Sequence, residues 1–118
     1  MTDRWAVVLP VGEKPILVHC DDGESMELKS MQDIVEGYVE SVSHLLLMDY
    51  KEDITPVMLV NEEGRLKGLQ KNHAATVISL NRPSIVGNAI IMAARGEELI
   101  GFTKEDAESL QKEIEPWA

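Results

Sequence analysis

The stretch IVGNAIIM, residues 85–92, predicts the centre of a β-sheet. Its apolar residues occupy both faces of an extended chain, as in strands that are buried on two sides. Gly87 interrupts the run where we expect a bulge or a close approach of neighbouring backbone. A second aliphatic run, VMLV at residues 57–60, has the same character. The two runs are therefore predicted to be central strands of one sheet.

Shorter segments with turn signals between them surround these two strands. Turn-forming residues such as glycine, proline, asparagine and aspartate separate the apolar stretches. The further predicted strands are residues 5–9, 16–20, 26–29, 38–42, 45–48 and one that begins at 65–66. Residues 51–56 are predicted to form a polar loop, and residues 69–75 a loop with one helical turn. The number of short strands indicates a mainly antiparallel sheet.

A short internal helix is predicted after residue 30. Ser30 and Asp33 have the spacing of a capping box, in which a serine side chain caps the helix start. Met31, Ile34 and Val35 would share one face of this helix. Gly37 follows at the position where a left-handed residue ends many helices.

A second capping-box pattern, at Thr103 and Asp106, begins the terminal helix. Apolar residues then recur at intervals of three and four, which predicts a helix over Lys104–Ile114 that covers one face of the sheet. Pro116 stops this helix. The expected fold is a single α+β domain over residues 1–118, with a mainly antiparallel sheet, a short internal helix and a C-terminal helix.

Length and composition restrict the class of protein. A chain of 118 residues is the length of one domain. No apolar run approaches the 20 or so residues of a membrane helix. Asp3 and Arg4 precede a short apolar run without a small-residue cleavage site, unlike a secretion signal. The single cysteine, Cys20, excludes an internal disulfide and is expected to be a buried structural thiol. We therefore expect a protein of the cytoplasm.

The charge is unevenly distributed along the chain. The net charge is −10, from 21 acidic and 11 basic residues. Residues 61–95, here called the basic island, hold 2 acids and 5 bases, a net of +3. The rest of the chain is strongly acidic, so bulk nucleic-acid binding is not expected. The island could instead hold a small anion, unless its members scatter in the folded chain.

The sequence lacks the motifs of common catalytic and metal sites. It contains no phosphate-loop motif, no Gly-x-Gly-x-x-Gly fingerprint and no His-Glu-x-x-His pair. His19, His44 and His73 are far apart in sequence. We predict no catalytic residue, no metal ligand and no cofactor, although a composite active site from distant residues stays open.

A candidate ligand site lies in and near the basic island. Arg82 is the expected charge partner, because a guanidinium can grip a phosphate through two hydrogen bonds. The other candidate ligand-binding residues are Lys71, Asn72, His73, Asn88 and Tyr38. Their side chains combine donors, acceptors and one aromatic ring. A purely structural interpretation is also open, in which Asn72 caps a helical turn, His73 is a surface residue and Arg82 belongs to a turn.

Three stretches resemble the family known as domain of unknown function 3846, which occurs in phages, plasmids and conjugative elements. They are residues 31–40 (MQDIVEGYVE), residues 60–69 with the following 72–74, and residues 85–103. The chain departs from the family pattern in having His73 where arginine is usual, and a non-proline Gln70–Lys71 pair before Asn72. The resemblance implies a mobile-element origin. It implies no catalysis and transfers no functional residue.

Three functions are compatible with these observations. The first is a counter-defence binder that sequesters a small phosphorylated, nucleotide-type signalling ligand. The second is an acidic protein or DNA mimic that inhibits a host nucleic-acid-binding defence protein, in keeping with the net charge of −10. The third is an enzyme that degrades such a nucleotide. We also expect a homodimer, since pairing protects exposed strand edges and a shared site can enclose more of a ligand.

Overall fold

The fold is an α+β domain built on an antiparallel sheet. The structure, a computed structural model, describes residues 3–42, 45, 54–79 and 84–118. The strands are β1 (Trp5–Leu9), β2 (Ile16–His19), β3 (Val39–Val42), β4 (Thr55–Asn61), β5 (Ala89–Arg95) and β6 (Glu98–Ile100). Their order is β2-β1-β5-β4-β3, with β6 paired to the far end of β5, and every pairing is antiparallel. The fold class and the central positions of β4 and β5 are thus as predicted.

Helices cover the two faces of this sheet. They are α1 (Leu28–Val35), α2 (His73–Ile78) and α3 (Lys104–Ile114), the last followed by a 3-10 turn at Glu115–Trp117. Helix α1 packs against β3, β4 and β5, while α3 packs against β1 and β2 from the other side. The terminal helix has the predicted bounds, and Thr103 Oγ1 accepts a hydrogen bond from the backbone N–H of Asp106. Helix α2 is a second internal helix where only one turn was expected.

Strand β5 shows why the central strands are aliphatic on both faces. Ile90 and Met92 belong to the hydrophobic cluster under α1. Ile91 and Ala93 belong to the cluster on the face of α2 and α3. All four are 0% exposed, so alternate side chains of one strand fill two separate cores. Burial on both faces explains the nearly continuous apolar sequence.

The start of α1 corrects two predictions. Residues 26–29 were predicted as a strand, but α1 already begins at Leu28. Ser30 therefore lies inside the helix, and Glu27 occupies the capping position without a side-chain hydrogen bond. Instead, Asp21 Oδ2 accepts a hydrogen bond from the Glu27 N–H at 2.9 Å. A contact from the preceding loop, rather than the local capping pattern, accompanies the helix start.

The end of α1 corrects the role of Gly37. The left-handed residue is Glu36, with φ of 65°, and not Gly37. A Cβ on Gly37 would lie 2.6 Å from Asn61 Nδ2 and 2.7 Å from Lys67 Nζ. Both of these groups donate to the final carbonyls of the helix region. Glycine is therefore needed here because other side chains approach closely, and not because of a positive φ.

Several predicted loop and strand boundaries also change. Residues 65–66 do not begin a strand but continue a turn that follows β4. Residues 85–88 precede β5, which begins at Ala89, and Gly87 has φ of +79°. Thr55 and Pro56, at the end of the predicted loop at 51–56, belong to β4, and residues 51–53 lie outside the described residues. The predicted strand at 45–48 lies outside the described residues except for Leu45, which forms an isolated bridge with Ser79.

No helix in the described part of the chain is both long and apolar enough to cross a membrane.

Candidate functional site

Asn72 is a structural residue in this fold. Its side chain is 1% exposed. Nδ2 donates to the carbonyl oxygens of Leu9 at 2.8 Å and Gly87 at 3.0 Å, while Oδ1 accepts from the Ala75 N–H at 3.1 Å. These bonds use both hydrogens of the side-chain amide and cap α2. They join Leu9, Gly87 and the start of α2. Little hydrogen-bonding capacity is left for a ligand.

Asn88 has a comparable linking role. Its Oδ1 accepts from the Val11 N–H at 3.0 Å, and its Nδ2 donates to the Ile34 carbonyl at 3.1 Å. The side chain thus ties the start of β5 to α1 and to the turn after β1. Asn72 and Asn88 lie near one another along the chain, but the structure directs their amides to backbone groups.

The remaining candidates that the structure describes do not form one cluster. Lys71 and His73 are exposed on either side of Asn72, Lys71 in an isolated bridge with Val86 and His73 as the first residue of α2. Tyr38 is 65% exposed and lies near the end of α1. Arg82, the expected charge partner, lies outside the described residues. Its assignment stays a prediction, as do the ligand roles of the other five residues.

A cavity of about 420 Å³ lies beside the basic island, on the β3 side of the sheet. Its volume falls within the range of about 300–1,000 Å³ that is usual for small-molecule sites. Strands β3 and β4, the turn after β4 and the segment before β5 surround it. The lining residues are Glu40, Val42, Val60, Asn61, Glu62, Glu63, Gly64, Arg65, Leu66, Ser84, Ile85 and Val86. We call it the β3 cavity.

The turn that forms one wall of the β3 cavity is fixed at both ends. Asn61 is 5% exposed, and its Oδ1 accepts a hydrogen bond from the Glu63 N–H at 2.7 Å. The Glu62 N–H donates to the Tyr38 carbonyl at 2.8 Å. A Cβ on Gly64 would lie 2.8 Å from Val86 Cγ2, so the turn packs directly on the segment before β5. The wall is therefore held by specific contacts.

Arg65 is the basic residue at the β3 cavity. Its Nη2 donates to the Ser84 carbonyl at 2.7 Å. Among the described residues, no hydrogen-bond acceptor is bound to its Nη1 or Nε. One nitrogen therefore fixes the guanidinium to the cavity wall, and Nη1 and Nε have no partner within the described residues. Arg65 belongs to the basic island, but its local sequence does not mark it as a site residue, because its partner is 19 positions further along the chain.

The β3 cavity is lined by acidic, basic and aliphatic side chains. Three carboxylates, those of Glu40, Glu62 and Glu63, line it together with the single guanidinium. The rest of the wall includes the aliphatic side chains of Val42, Val60, Leu66, Ile85 and Val86. Such a site can contact an apolar ring system, accept hydrogen bonds from hydroxyl or amino groups, and pair with one anionic group.

The other bases of the island that the structure describes lie elsewhere. Lys67 Nζ donates to the Glu36 carbonyl at 3.2 Å and lines a second cavity of about 410 Å³ with Tyr38. Arg95 Nη2 binds Glu24 Oε1 at 2.7 Å, on β5. The positive charges of the island are thus distributed over several surfaces, and Arg65 is the described one at the β3 cavity.

The nucleophilic and metal-binding groups of the described chain form no site. Cys20 is 0% exposed, and burial, with smaller contributions from Asp22 and Asp21, raises the pKa of its thiol to about 11. A buried, protonated thiol is a poor nucleophile. Within the described ranges, no group of three or more histidine, cysteine, aspartate or glutamate side chains could hold a metal ion.

A known protein family matches most of the chain. Residues 1–115 match the family described as Domain of unknown function (DUF3846). The chain belongs to this family. No curated protein and no solved structure matches it. The family description carries no activity, so a function for this DUF3846 chain must be argued from its own residues.

Proposed function

We propose that this chain is a non-catalytic binding protein that sequesters a small nucleotide-type ligand in the β3 cavity. The observation that carries the proposal is the anchored guanidinium of Arg65 at the wall of a cavity of suitable volume. An arginine held by one nitrogen loses less conformational entropy when its other N–H groups bind an anion.

The composition of the cavity favours a ligand with few negative charges. Three glutamates near one arginine repel a polyphosphate but tolerate a single phosphate that pairs with Arg65. The carboxylates can accept hydrogen bonds from ribose hydroxyls or base amino groups. The aliphatic wall suits the face of a base. We therefore favour a nucleoside monophosphate or a cyclic nucleotide over a nucleoside triphosphate.

The biological setting of the proposal comes from the family resemblance. Members of the family occur in phages, plasmids and conjugative elements, whose small proteins often counter host defence. Sequestration of a signalling nucleotide in the host cytoplasm would serve that purpose without catalysis. The single cysteine, buried and unpaired, fits a reducing compartment.

A second candidate is an acidic mimic that blocks a nucleic-acid-binding protein. The net charge of −10 favours it. Such a mimic would bind a basic partner with a strong dependence on salt, and would need no occupied cavity. Ligand binding at the β3 cavity distinguishes the two proposals.

Replacing Arg65 with alanine is expected to weaken the binding of a nucleoside monophosphate on the order of 10- to 100-fold. The expected loss corresponds to charged hydrogen bonds between the guanidinium and the phosphate. Folding should change little, because Arg65 is exposed. Calorimetric titration with a panel of nucleosides, monophosphates, cyclic nucleotides and triphosphates measures the affinities.

Lys112→Ala is the matched control, since Lys112 is an exposed base on α3 and does not line the cavity. It should leave every affinity unchanged. Equal affinities for wild type and Arg65→Ala would contradict the proposal, as would tighter binding of the triphosphate than of the monophosphate.

Arg82→Ala is expected to weaken the same ligands by a similar factor, if Arg82 contributes the bidentate phosphate contact that the sequence suggests. Thermal-shift screening of wild type and Arg82→Ala with the same panel measures this effect. Equal ligand-induced stabilisation of the two proteins would assign Arg82 to the turn alone and leave Arg65 as the charge partner.

A further inference from the structure

The outer edge of β3 offers backbone groups that pair with no described strand. The Tyr38 carbonyl accepts from the Glu62 N–H, so Tyr38, and by alternation Glu40 and Val42, turn their backbone groups toward β4. The N–H and C=O groups of Val39 and Ser41 therefore point away from β4. In the described parts of the chain, no strand pairs with them. Such an edge is a template for another strand.

The opposite edge of the sheet is better protected. Strand β2 begins directly after Pro15, whose carbonyl accepts a hydrogen bond from Gln111 Nε2 of α3 at 2.9 Å. Prolines and covering elements are common protections of edge strands. Charged residues do not distinguish the two edges, because β3 has one, Glu40, and β2 has none. Two of the most exposed large side chains, Tyr38 at 65% and Leu66 at 87%, lie beside it.

We infer that two copies of this chain pair through β3, antiparallel, about a two-fold axis at Ser41. Only outward-facing residues can exchange hydrogen bonds, so Ser41 must face an outward-facing residue of the second copy. One such register pairs Ser41 with Ser41 and sets Glu40 opposite Val42. The alternative register, one step away, sets Glu40 opposite Glu40, where like charges repel. A register centred on Val39 would set Ser41 opposite Gly37, whose N–H already donates to the Gln32 carbonyl at 3.0 Å. The register centred on Ser41 has neither of these conflicts.

This pairing joins the proposed ligand sites, and in this respect the inference rests on the proposed function. Glu40 and Val42 both line the β3 cavity. A two-fold axis perpendicular to the sheet keeps the same face of both copies on one side. Glu40 then lies across from the partner subunit's Val42, so the two β3 cavities adjoin at the interface. Each copy contributes a wall to the site of the other.

The test is a pair of cysteine variants, with light scattering of the unmodified protein. Directly opposed residues of a hydrogen-bonded pair have Cα atoms about 5.5 Å apart, within the range that a disulfide spans. Ser41→Cys should therefore give a covalent dimer on treatment with diamide. Glu40→Cys should not, because its Cα atoms would be diagonal neighbours about 7–8 Å apart. Wild type is the background control, since Cys20 is buried.

Each outcome is decisive for the interface. A mass of twice 13.1 kDa at tens of micromolar, with cross-linking of Ser41→Cys alone, supports the inference. A monomer mass, or efficient cross-linking of Glu40→Cys in place of Ser41→Cys, overturns it. Ligand titration is read separately. A monomer that binds the nucleotide refutes the interface only, whereas a dimer that binds none of the panel refutes the proposed function only.

Discussion

Replacing Asn72 with alanine is expected to lower the free energy of unfolding by about 3 kcal/mol. The substitution removes the cap of α2 and leaves the carbonyls of Leu9 and Gly87 without their side-chain donor in a buried environment. Losing a cap costs about 1 kcal/mol. Each unsatisfied buried group adds a desolvation cost of about 1–3 kcal/mol. Urea unfolding of wild type and variant measures the difference.

Thr103→Ala is the matched control, because Thr103 caps α3 through one bond to the Asp106 N–H. It should cost only about 1 kcal/mol. If Asn72→Ala cost no more than Thr103→Ala, the bonds to Leu9 and Gly87 would contribute nothing. A normally stable Asn72→Ala protein that had lost nucleotide binding would instead support the ligand role predicted from the sequence.

Leu110→Ala is expected to lower the free energy of unfolding by about 3 kcal/mol. Leu110 is 0% exposed on the inner face of α3, in the cluster that this helix forms with the sheet. Truncation removes buried apolar surface and leaves a cavity that the close-packed neighbours fill only in part. Urea unfolding monitored by circular dichroism gives the value, with an unchanged denaturant slope as the sign of two-state behaviour.

Leu28→Ala is the control for this truncation, because Leu28 also lies on a helix but is 59% exposed. Its effect should stay within about 0.5 kcal/mol. Similar effects of the two substitutions would mean that α3 does not pack on the sheet as the structure has it.

Features set by local sequence were predicted well. Helix α3 has a capping threonine, an acidic first turn and apolar residues at helical spacing, and all three signals agree. Strands β4 and β5 are aliphatic on both faces because helices cover both faces, so their central place followed from composition. In each case the local preference and the tertiary contacts favour the same structure.

Features set by distant contacts were missed. Ser30 has the local pattern of a cap, but α1 begins earlier, where Asp21 binds the Glu27 N–H. Gly37 has the sequence position of a left-handed residue, but Asn61 and Lys67 approach it from 24 and 30 positions away, so it is needed for space. The sequence around the helix predicts neither the contact of Asp21 nor the close approach of Asn61 and Lys67.

The candidate site shows the same difference between features set by local sequence and features set by distant contacts. Part of the basic island lines the β3 cavity, but the charge pattern of the sequence does not separate Arg65 from Lys67 and Arg95. The position of the turn after β4 places Arg65 at the cavity. Contacts of Asn61, Gly64 and Arg65 fix this turn against residues 84–86. The hydrogen-bonding groups of Asn72 suggest a ligand role in the sequence, but in the fold these groups bind backbone atoms.

Chemical-shift mapping of the backbone amides during titration with a nucleoside monophosphate tests the central claim most directly. The account predicts saturable shifts that are concentrated at residues 62–66 and 84–86 in wild type, and that are much reduced at the same ligand concentration in Arg65→Ala. Shifts confined to other surfaces, or no shifts with any member of the nucleotide panel, would contradict a ligand site at the β3 cavity.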